Sequence, residues 1–319
     1  MGLKNEEQII QEEIKKLKKK IYDYIQLVKV LLSLKLHFER KYKAKAYVEP
    51  SVWYKEDKEK RIPDLLILTS DNTAIVFDHK IIESSDERTV RSRLRRLKKY
   101  YGTIIWKEKE YTVNYAILLC SKETWQNILN AGLIEKPMTW VYKLVEDEKL
   151  YYEINIFSPK SIKIKDSLLS RIISTYKKHG VIKVERPYEA TKYVFIRQKP
   201  PIEYVAERVY RFLYSRMDPN VDEEAFQLKN IINEFNWYYS PWVLAEGEAK
   251  QLTIGRLNEA LKLLDEIGLA KYKPEEGVVI VKKIKKLSGE LLDHILEKIV
   301  KHRLKAEAKR QTKITNFFH

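Results

Sequence analysis

The chain has 319 residues, 44% of them hydrophobic, which is enough material for about two domains with buried cores. Its nine glycines and ten prolines are too few for a collagen-like or low-complexity architecture. No apolar run approaches the ~20 residues that cross a bilayer, and the N-terminus lacks the apolar core of a signal peptide. We therefore expect a soluble, cytoplasmic protein with no membrane partner. The single cysteine, Cys120, excludes an intramolecular disulfide and a cysteine-based zinc site.

Positive charge is in clear excess, because 61 Lys and Arg residues stand against 45 Asp and Glu residues, for a net charge of +16. A Lys- and Glu-rich surface of the thermophilic kind would explain abundant charge of both signs. It would not explain a surplus of one sign. The excess therefore favours a polyanionic partner, of which nucleic acid is the commonest.

The first 150 residues are predicted to form a mixed α/β domain. Apolar residues recur at three- and four-residue steps through 5–43, which predicts one long helix. Shorter β-branched or aromatic runs predict strands, and two amphipathic runs predict helices. The predicted strands are 45–54, 62–69, 73–82, 111–120 and 138–144, and the predicted helices are 87–101 and 125–131. This order is typical of a sheet flanked by helices.

An extension over 151–200 is predicted next, followed by a mainly helical domain over 201–286. The predicted elements are helices 168–179, 203–216, 222–237 and 252–267, strands 181–186 and 193–197, and a hairpin of 270–273 with 278–284. Thr253 is the predicted N-cap of the third helix of this domain, and Gly268 ends it. Three helices and a hairpin are a winged-helix pattern. A charged helix over 287–310 and a tail over 311–319 complete the chain.

The winged-helix-like region allows two interpretations of its function. Its third helix carries Arg256 and Lys262, but also several acidic residues. The lysines at 282, 283, 285 and 286 form a basic wing. The pattern is compatible with duplex DNA binding and, equally, with a protein contact.

Two carboxylates and a lysine lie inside apolar strand runs. Asp64 follows Pro63 at the start of one strand, and Asp78 stands two positions before Lys80 at the end of the next. A hairpin of this length brings the two aspartates together, and they would bind Mg²⁺ or Mn²⁺ through hard oxygen ligands. Lys80 lies on the same strand face as Asp78, where it could orient a water molecule or stabilise charge on a phosphate. His79 points to the opposite face, as a packing residue.

The sequence resembles the PD-(D/E)xK nuclease superfamily in one motif and its surroundings. The motif is PD at 63–64, a 13-residue gap and DHK at 78–80, and it follows a predicted helix and lies among three predicted strands. This superfamily includes type II restriction enzymes, archaeal Holliday-junction resolvases and RecB-like exonucleases. The resemblance covers roughly residues 20–150. It implies a restriction-endonuclease-like mixed sheet and metal-dependent DNA cleavage. It also implies a further acid from the preceding helix or first strand, for which we favour Glu39 over Glu49.

A RecB-like member would carry the element Q-x-x-x-Y on the helix after the catalytic strand. Arg96 and Tyr100 have that spacing here, and the glutamine is missing. Two other interpretations of the acidic residues and Lys80 stay open. One is a simple ion pair at a strand end. The other is a nuclease fold without activity, retained as a DNA-binding adaptor or regulator.

A strongly basic helix follows the second aspartate strand. Its candidate DNA-binding residues are Arg88, Arg91, Arg95, Arg96, Lys98 and Lys99, with Arg93 among them. Asp86 and Glu87 supply too little counter-charge for a simple solvated helix face. The pattern therefore favours contact with phosphates.

The C-terminal tail carries a second motif. Gln311, Ile314, Phe317 and Phe318 fit the pattern Q-x-x-[aliphatic]-x-x-[aromatic]-[aromatic]. Residues three and four apart share one face of a helical turn, so the three apolar side chains form one plug. This resembles the peptide with which archaeal and eukaryotic DNA replication and repair proteins bind the sliding clamp PCNA. The resemblance implies a clamp partner and an archaeal or mobile-element origin. The oligomeric state stays open, with a homodimer among the alternatives.

Overall fold

A computed structural model describes residues 6–133, 136–147, 150–158, 164, 166–186, 200–235, 246–284 and 290–315. The chain divides into two compact units. One comprises Leu27–Ile196, and the other comprises Met1–Gln26 with Arg197–His319. Helix α1 (Glu6–Tyr42) is the long helix that the periodicity of 5–43 predicted. It contributes to both units, which was not predicted. The mixed α/β class is confirmed.

Ten strands of the unit Leu27–Ile196 form one mixed sheet. They are β1 (Lys45–Val48), β2 (Val52–Tyr54), β3 (Glu59–Arg61), β4 (Leu65–Leu68), β5 (Thr73–His79), β6 (Gly102–Trp106), β7 (Lys109–Ser121), β8 (Thr139–Glu146), β9 (Leu150–Phe157) and β10 (Ile182–Glu185). The region predicted as an extension after residue 150 therefore supplies two strands to the same sheet.

The sheet forks at its longest strand, β7. Its main path runs β1-β4-β5-β7-β6-β2-β3, and a second branch adds β8, β9 and β10. Strand β5 is parallel to β7, and so is β8, while the other neighbours are antiparallel. Only residues 49–51 separate β1 from β2, although the two strands lie far apart along the main path. The sheet must therefore curl strongly.

Helices cover the two faces of this sheet. On one face, Phe38 of α1 packs against Phe77 of β5 and Trp140 of β8, with ring centroids 6.0 and 6.1 Å apart. On the other face, α2 (Glu87–Arg95) buries Val90, and the 3₁₀ helix Arg96–Tyr100 that continues it buries Leu97. Helix α3 (Lys122–Asn130) joins the same apolar cluster, and α4 (Ser167–His179) precedes β10.

Two features of this sheet were not predicted. The predicted strand 45–54 is interrupted at Glu49, whose φ of +46° lies in the left-handed region, so β1 and β2 leave for different parts of the sheet. Strand β6 was missed altogether. It joins β7 through a two-residue turn, Lys107 and Glu108, both with positive φ. Such turns usually contain Asn-Gly, and the sequence here lacks that signal.

The second unit contains four further helices and a three-stranded sheet among its described residues. These are α5 (Ile202–Tyr214), β11 (Glu223–Gln227), α6 (Leu228–Phe235), α7 (Glu246–Glu266), β12 (Ala270–Lys273), β13 (Val278–Lys282) and α8 (Leu291–Thr315). The sheet order is β11-β13-β12, antiparallel throughout. Gly268 ends the third helix of this domain with a φ of +72°, as predicted.

Two predictions for this unit are wrong. The predicted helix 222–237 begins as strand β11, because Glu223–Gln227 pairs with β13 and this pairing overrides the helical preference of Glu, Ala and Gln. Thr253 is not an N-cap, since α7 begins at Glu246. The predicted strand 193–197 and the wing lysines Lys285 and Lys286 lie outside the described residues.

Within the described parts of the chain, no helix combines the length and apolarity that crossing a membrane requires.

Candidate active site

The β4–β5 hairpin brings Asp64 and Asp78 together. Leu65 of β4 is paired with Phe77 of β5, so the residues just outside this pair, Asp64 and Asp78, are neighbours. The backbone N–H of His79 donates a hydrogen bond to Asp64 Oδ2. A turn through Asn72, with a φ of +57°, closes the hairpin at its far end. The predicted convergence of the two aspartates therefore follows from the register of one hairpin.

Asp78, which is buried, forms an ion pair with the partly buried Lys80. Lys80 Nζ lies 2.6 Å from Asp78 Oδ2, and the two side chains are 17% and 4% exposed. The N–H of Lys80 donates to the carbonyl of Leu119 at 3.0 Å, so strand geometry continues past β5 and both side chains share one face. Although close to the ammonium, Asp78 Oδ2 has no hydrogen bond of good geometry. In this geometry the ammonium of Lys80 is the positive charge beside that oxygen.

The carboxyl of Asp64 has a raised pKa. Burial is the largest cause, because it disfavours the charged form, and the negative charge of Asp78 adds to it. The ammonium of Lys80 and the hydrogen bond from His79 N–H act in the opposite direction. A second positive charge beside the two aspartates would relieve this repulsion. The electrostatics of the pair therefore favour cation binding.

Tyr100 is part of this site and was noted in the sequence only for its spacing from Arg96. Its hydroxyl lies 3.4 Å from Asp78 Oδ1 and donates to the carbonyl of Ile62 at the same distance. Burial, followed by the charges of Asp78 and Asp64, raises the pKa of Tyr100 above its ordinary range. The phenol is therefore a neutral donor beside the carboxylates. The 3₁₀ helix after α2 delivers it there, which local periodicity did not indicate.

The two candidates for a third acid occupy different surroundings. Both carboxylate oxygens of Glu39 accept from Lys35 Nζ at 2.6 Å, one turn earlier on α1. Glu49 is 2% exposed, and its N–H donates to the carbonyl oxygen of Asp64 at 2.9 Å. The backbone thus brings Glu49 beside Asp64, whereas Glu39 is engaged on its own helix.

The donor set suits a small hard cation. Among the described residues, no group of three or more His, Cys, Asp and Glu side chains is placed to hold a metal ion. Mg²⁺ needs fewer protein ligands, since it is commonly bound through one or two carboxylates with water and substrate phosphates completing its shell. Asp64 and Asp78 provide that number, and Asp78 Oδ2 already accommodates a positive charge, the ammonium of Lys80, beside it.

His79 faces away from the carboxylates, as predicted. Its Nε2 lies 3.0 Å from the hydroxyl of Tyr142, and the two rings stack with centroids 5.8 Å apart. Burial, and to a lesser degree the charge of Lys80, lowers the pKa of His79 to about 3. The imidazole is therefore neutral and packs against β8.

The basic segment over 88–99 is exposed on the carboxylate side of the sheet. Its seven cationic residues are all exposed, namely Arg88, Arg91, Arg93, Arg95, Arg96, Lys98 and Lys99. Arg91 pairs with Glu87, and within the described residues the other six have no ion pair. Val90 and Leu97 anchor the segment to the sheet. An uncompensated cationic surface therefore adjoins the two aspartates.

In the second unit, most of the described basic residues that would contact DNA already have a partner within the protein. Arg256 is only 15% exposed and pairs with Glu259. Lys282 lies 4.0 Å from Glu223, and Lys283 donates to the carbonyl of Pro219. Lys262 is exposed. Gln311 and Ile314 belong to the last turns of α8, while Phe317 and Phe318 lie outside the described residues.

Comparisons with protein-family models, curated proteins and solved structures return no significant match.

Proposed function

We propose that the protein is a metal-dependent DNA nuclease. The observation that carries the proposal is the buried Asp78–Lys80 pair, with Asp64 held next to it by the N–H of His79. A buried ion pair costs desolvation and is weak evidence for stability. Two carboxylates and a lysine gathered in one place, with the pKa of Asp64 raised, are instead typical of a functional site.

In this proposal, each side chain has a defined role. Asp64 and Asp78 would hold Mg²⁺ or Mn²⁺, which when bound lowers the pKa of water and stabilises negative charge on a phosphate. Lys80 would leave Asp78 and place its ammonium against the attacking water or a phosphate oxygen. Tyr100 would donate a hydrogen bond to Asp78 and hold its carboxylate in one orientation. Glu49 is the favoured third acid, because its backbone joins that of Asp64.

The basic segment over 88–99 supports DNA as the substrate. It is exposed, only Arg91 of its seven cations has an ion pair within the described residues, and its 3₁₀ helix carries Tyr100 to Asp78. A phosphate backbone held by these cations would pass close to the two aspartates. Phosphate contacts of this kind fix the position of a strand without reading its sequence.

Two finer assignments of the fold belong to the same proposal. The order α1, β1, β4, β5, α2, β7 agrees with a restriction-endonuclease-like core, in which a helix precedes three strands. The order α5, β11, α6, α7, β12, β13 agrees with a winged helix, in which β11 completes the sheet of the hairpin. The winged helix would serve as a second DNA or protein contact.

The tail supports recruitment to DNA by the PCNA sliding clamp, in replication, repair or recombination. Helix α8 runs through Gln311 and Ile314, so their backbone already has the helical spacing that the plug requires. Tethering by such a peptide would raise the local concentration of the nuclease on clamp-loaded DNA.

A non-catalytic adaptor is the second candidate. The ammonium of Lys80 neutralises Asp78 in the metal-free geometry, and no group of three acids is assembled in the described residues. A nuclease-like fold that only binds DNA and the clamp would have the same exposed basic segment. The two candidates differ in whether a phosphodiester bond is broken.

The deciding experiment incubates the full chain with branched, duplex and single-stranded DNA, with and without Mg²⁺ or Mn²⁺. We expect metal-dependent cleavage that is lost in Asp78→Ala and in Lys80→Ala, with DNA binding in EDTA retained. Asp147→Ala and Lys143→Ala remove the same charges from exposed positions and serve as controls. Cleavage of no substrate with either metal would overturn the nuclease and favour the adaptor.

A further inference from the structure

A cavity lies at the opposite end of strand β4 from the two aspartates. Its volume is about 490 Å³, and its polar and aromatic lining includes Tyr42, Lys43, Lys45, Lys109, Tyr111 and Arg171. Asp64 precedes β4 and Thr69 follows it, so five strand steps, or about 17 Å, separate the two ends. The cavity is therefore a place distinct from the candidate active site.

The charge of this cavity is entirely positive. Four cations line it, and no Asp or Glu is among its lining residues. None of these four cations makes an ion pair within the described part of the chain. Four uncompensated cations around one cavity repel one another, and an anionic ligand would relieve that repulsion.

Two of the cations are held in place by aromatic rings. The guanidinium of Arg171 lies 5.0 Å from the ring centroid of Tyr42, and Lys109 Nζ lies 5.6 Å from that of Tyr111. The wall that carries Arg171 is also fixed, because buried Asp166 caps α4 through Leu169 N–H and accepts from Thr73 Oγ1 at 2.6 Å. The ring contacts and the capped helix start therefore restrict Arg171 and Lys109, although all four cations are exposed to solvent.

The size of the cavity limits the choice of anion. About 490 Å³ lies in the range of pockets that hold drug-sized ligands, and it exceeds what one inorganic phosphate fills. Arginine and lysine are the usual partners of phosphoryl groups, and Ser70 and Ser167 of the lining add hydroxyls, whereas the hydroxyl of Thr69 is already bonded to Asp71 and Thr73. A nucleotide has the combination of phosphate charge and volume that this lining suits.

We propose that this cavity binds the phosphoryl group of a nucleotide, either free or as part of a DNA strand. The inference goes beyond the proposed nuclease activity and does not depend on it. The protein would then have an anion-binding site at the far end of β4 from the two aspartates, on the same sheet.

The test is calorimetry of the full chain in EDTA, with dATP, pyrophosphate and a short single-stranded DNA as separate probes. Lys109→Ala with Arg171→Ala should weaken nucleotide binding at least about tenfold, because two charge-assisted contacts are lost. Lys177→Ala with Lys178→Ala removes two exposed charges from the same helix as Arg171 and should leave the affinity unchanged. Arg171→Lys, which keeps the charge, should restore part of the affinity.

The probes separate the two sources. Binding of dATP identifies a free nucleotide, and binding of the DNA alone, sensitive to the same pair of substitutions, identifies a nucleotide within a strand. Equal affinity for pyrophosphate and dATP would overturn the nucleotide assignment. The proposed site would be wrong if none of the three probes binds. It would also be wrong if the two double variants lose the same amount of nucleotide affinity. Because no cleavage is measured, an inactive nuclease does not affect the result.

Discussion

The N–H of Glu49 donates a hydrogen bond to the carbonyl oxygen of Asp64 at 2.9 Å, although the two residues are 15 positions apart in the chain. Glu49 is buried and has a φ of +46°, a conformation that costs a non-glycine residue on the order of 1 kcal/mol or more. Strain of this kind persists where the surroundings over-determine it. Its position beside a proposed metal ligand ties it to the site.

Glu49→Gln should therefore lower metal-dependent cleavage at least about tenfold, because it removes the carboxylate of a buried residue whose backbone is bonded to that of Asp64, while keeping the side-chain shape. Glu39→Gln is the matched change in the other candidate acid, and it should have little effect, since Glu39 is bonded to Lys35. Initial rates at saturating Mg²⁺ compare the two. The reverse order of losses would make Glu39 the third acid.

Asp64→Asn should stabilise the metal-free protein at neutral and mildly alkaline pH. The folded pKa of Asp64 is raised, so its contribution to stability is present at low pH and is lost as pH rises through the folded pKa. Because the Asn side chain does not ionise, the variant avoids this loss of stability. We expect a gain of about 1 kcal/mol in the free energy of unfolding. Urea unfolding in EDTA at pH 5 and pH 8 measures it, with Asp147→Asn as control. Equal gains at both pH values would contradict the assignment.

His79 should make the protein acid-sensitive in a defined window. Its folded pKa is lowered to about 3, so the unfolded chain binds a proton that the folded chain does not between about pH 6.5 and pH 3. Stability should fall there, as pH falls, by up to about 1.4 kcal/mol per pH unit from this residue. His79→Gln should flatten the dependence measured by urea unfolding, whereas His179→Gln, at an exposed helix end, should leave it unchanged.

Arg95→Ala with Lys99→Ala should weaken DNA binding and reduce its salt dependence. Each phosphate neutralised on duplex DNA contributes a slope of about 0.9 in log K against log salt. The slope of the double variant should therefore be smaller by up to about twice that amount. Arg91→Ala with Arg95→Ala should reduce the slope as well, and by less to the extent that Glu87 already neutralises Arg91. Titrations of fluorescent duplex over a range of salt provide the measurement. A slope equal to that of Lys177→Ala with Lys178→Ala would exclude the basic segment from the DNA path.

Phe317→Ala with Phe318→Ala should leave binding to the cognate sliding clamp hard to detect. Buried aromatic anchors commonly cost about 2 kcal/mol or more each when truncated, and each ~1.4 kcal/mol is tenfold in affinity. Thr312→Ala changes a position between the motif residues and should bind normally. Cleavage of short, clamp-free DNA should not change in either variant. If calorimetry detects no binding of the intact chain at tens of micromolar, the tail is not a clamp peptide.

Local patterns in the sequence were sufficient for much of the fold. The apolar period of α1, the hairpin that carries Asp64 and Asp78, and the glycine that ends α7 each depend on residues a few positions apart. Periodicity, turn chemistry and capping act over that range, so they can be read from the chain alone. The opposite orientation of His79 and Lys80 follows in the same way from strand alternation.

Other features were decided only by tertiary contacts. Strand β11 forms because β13 pairs with it, although Glu223–Gln227 prefers a helix in isolation. Tyr100 reaches Asp78 across 22 residues, and Asp166 fixes the start of α4 by accepting from Thr73, 93 residues away. No local propensity encodes such contacts, because each depends on the curl of the sheet and the packing of helices on its faces. The sequence by itself determined which residues are charged or apolar along each element, and the tertiary structure decided which of them meet.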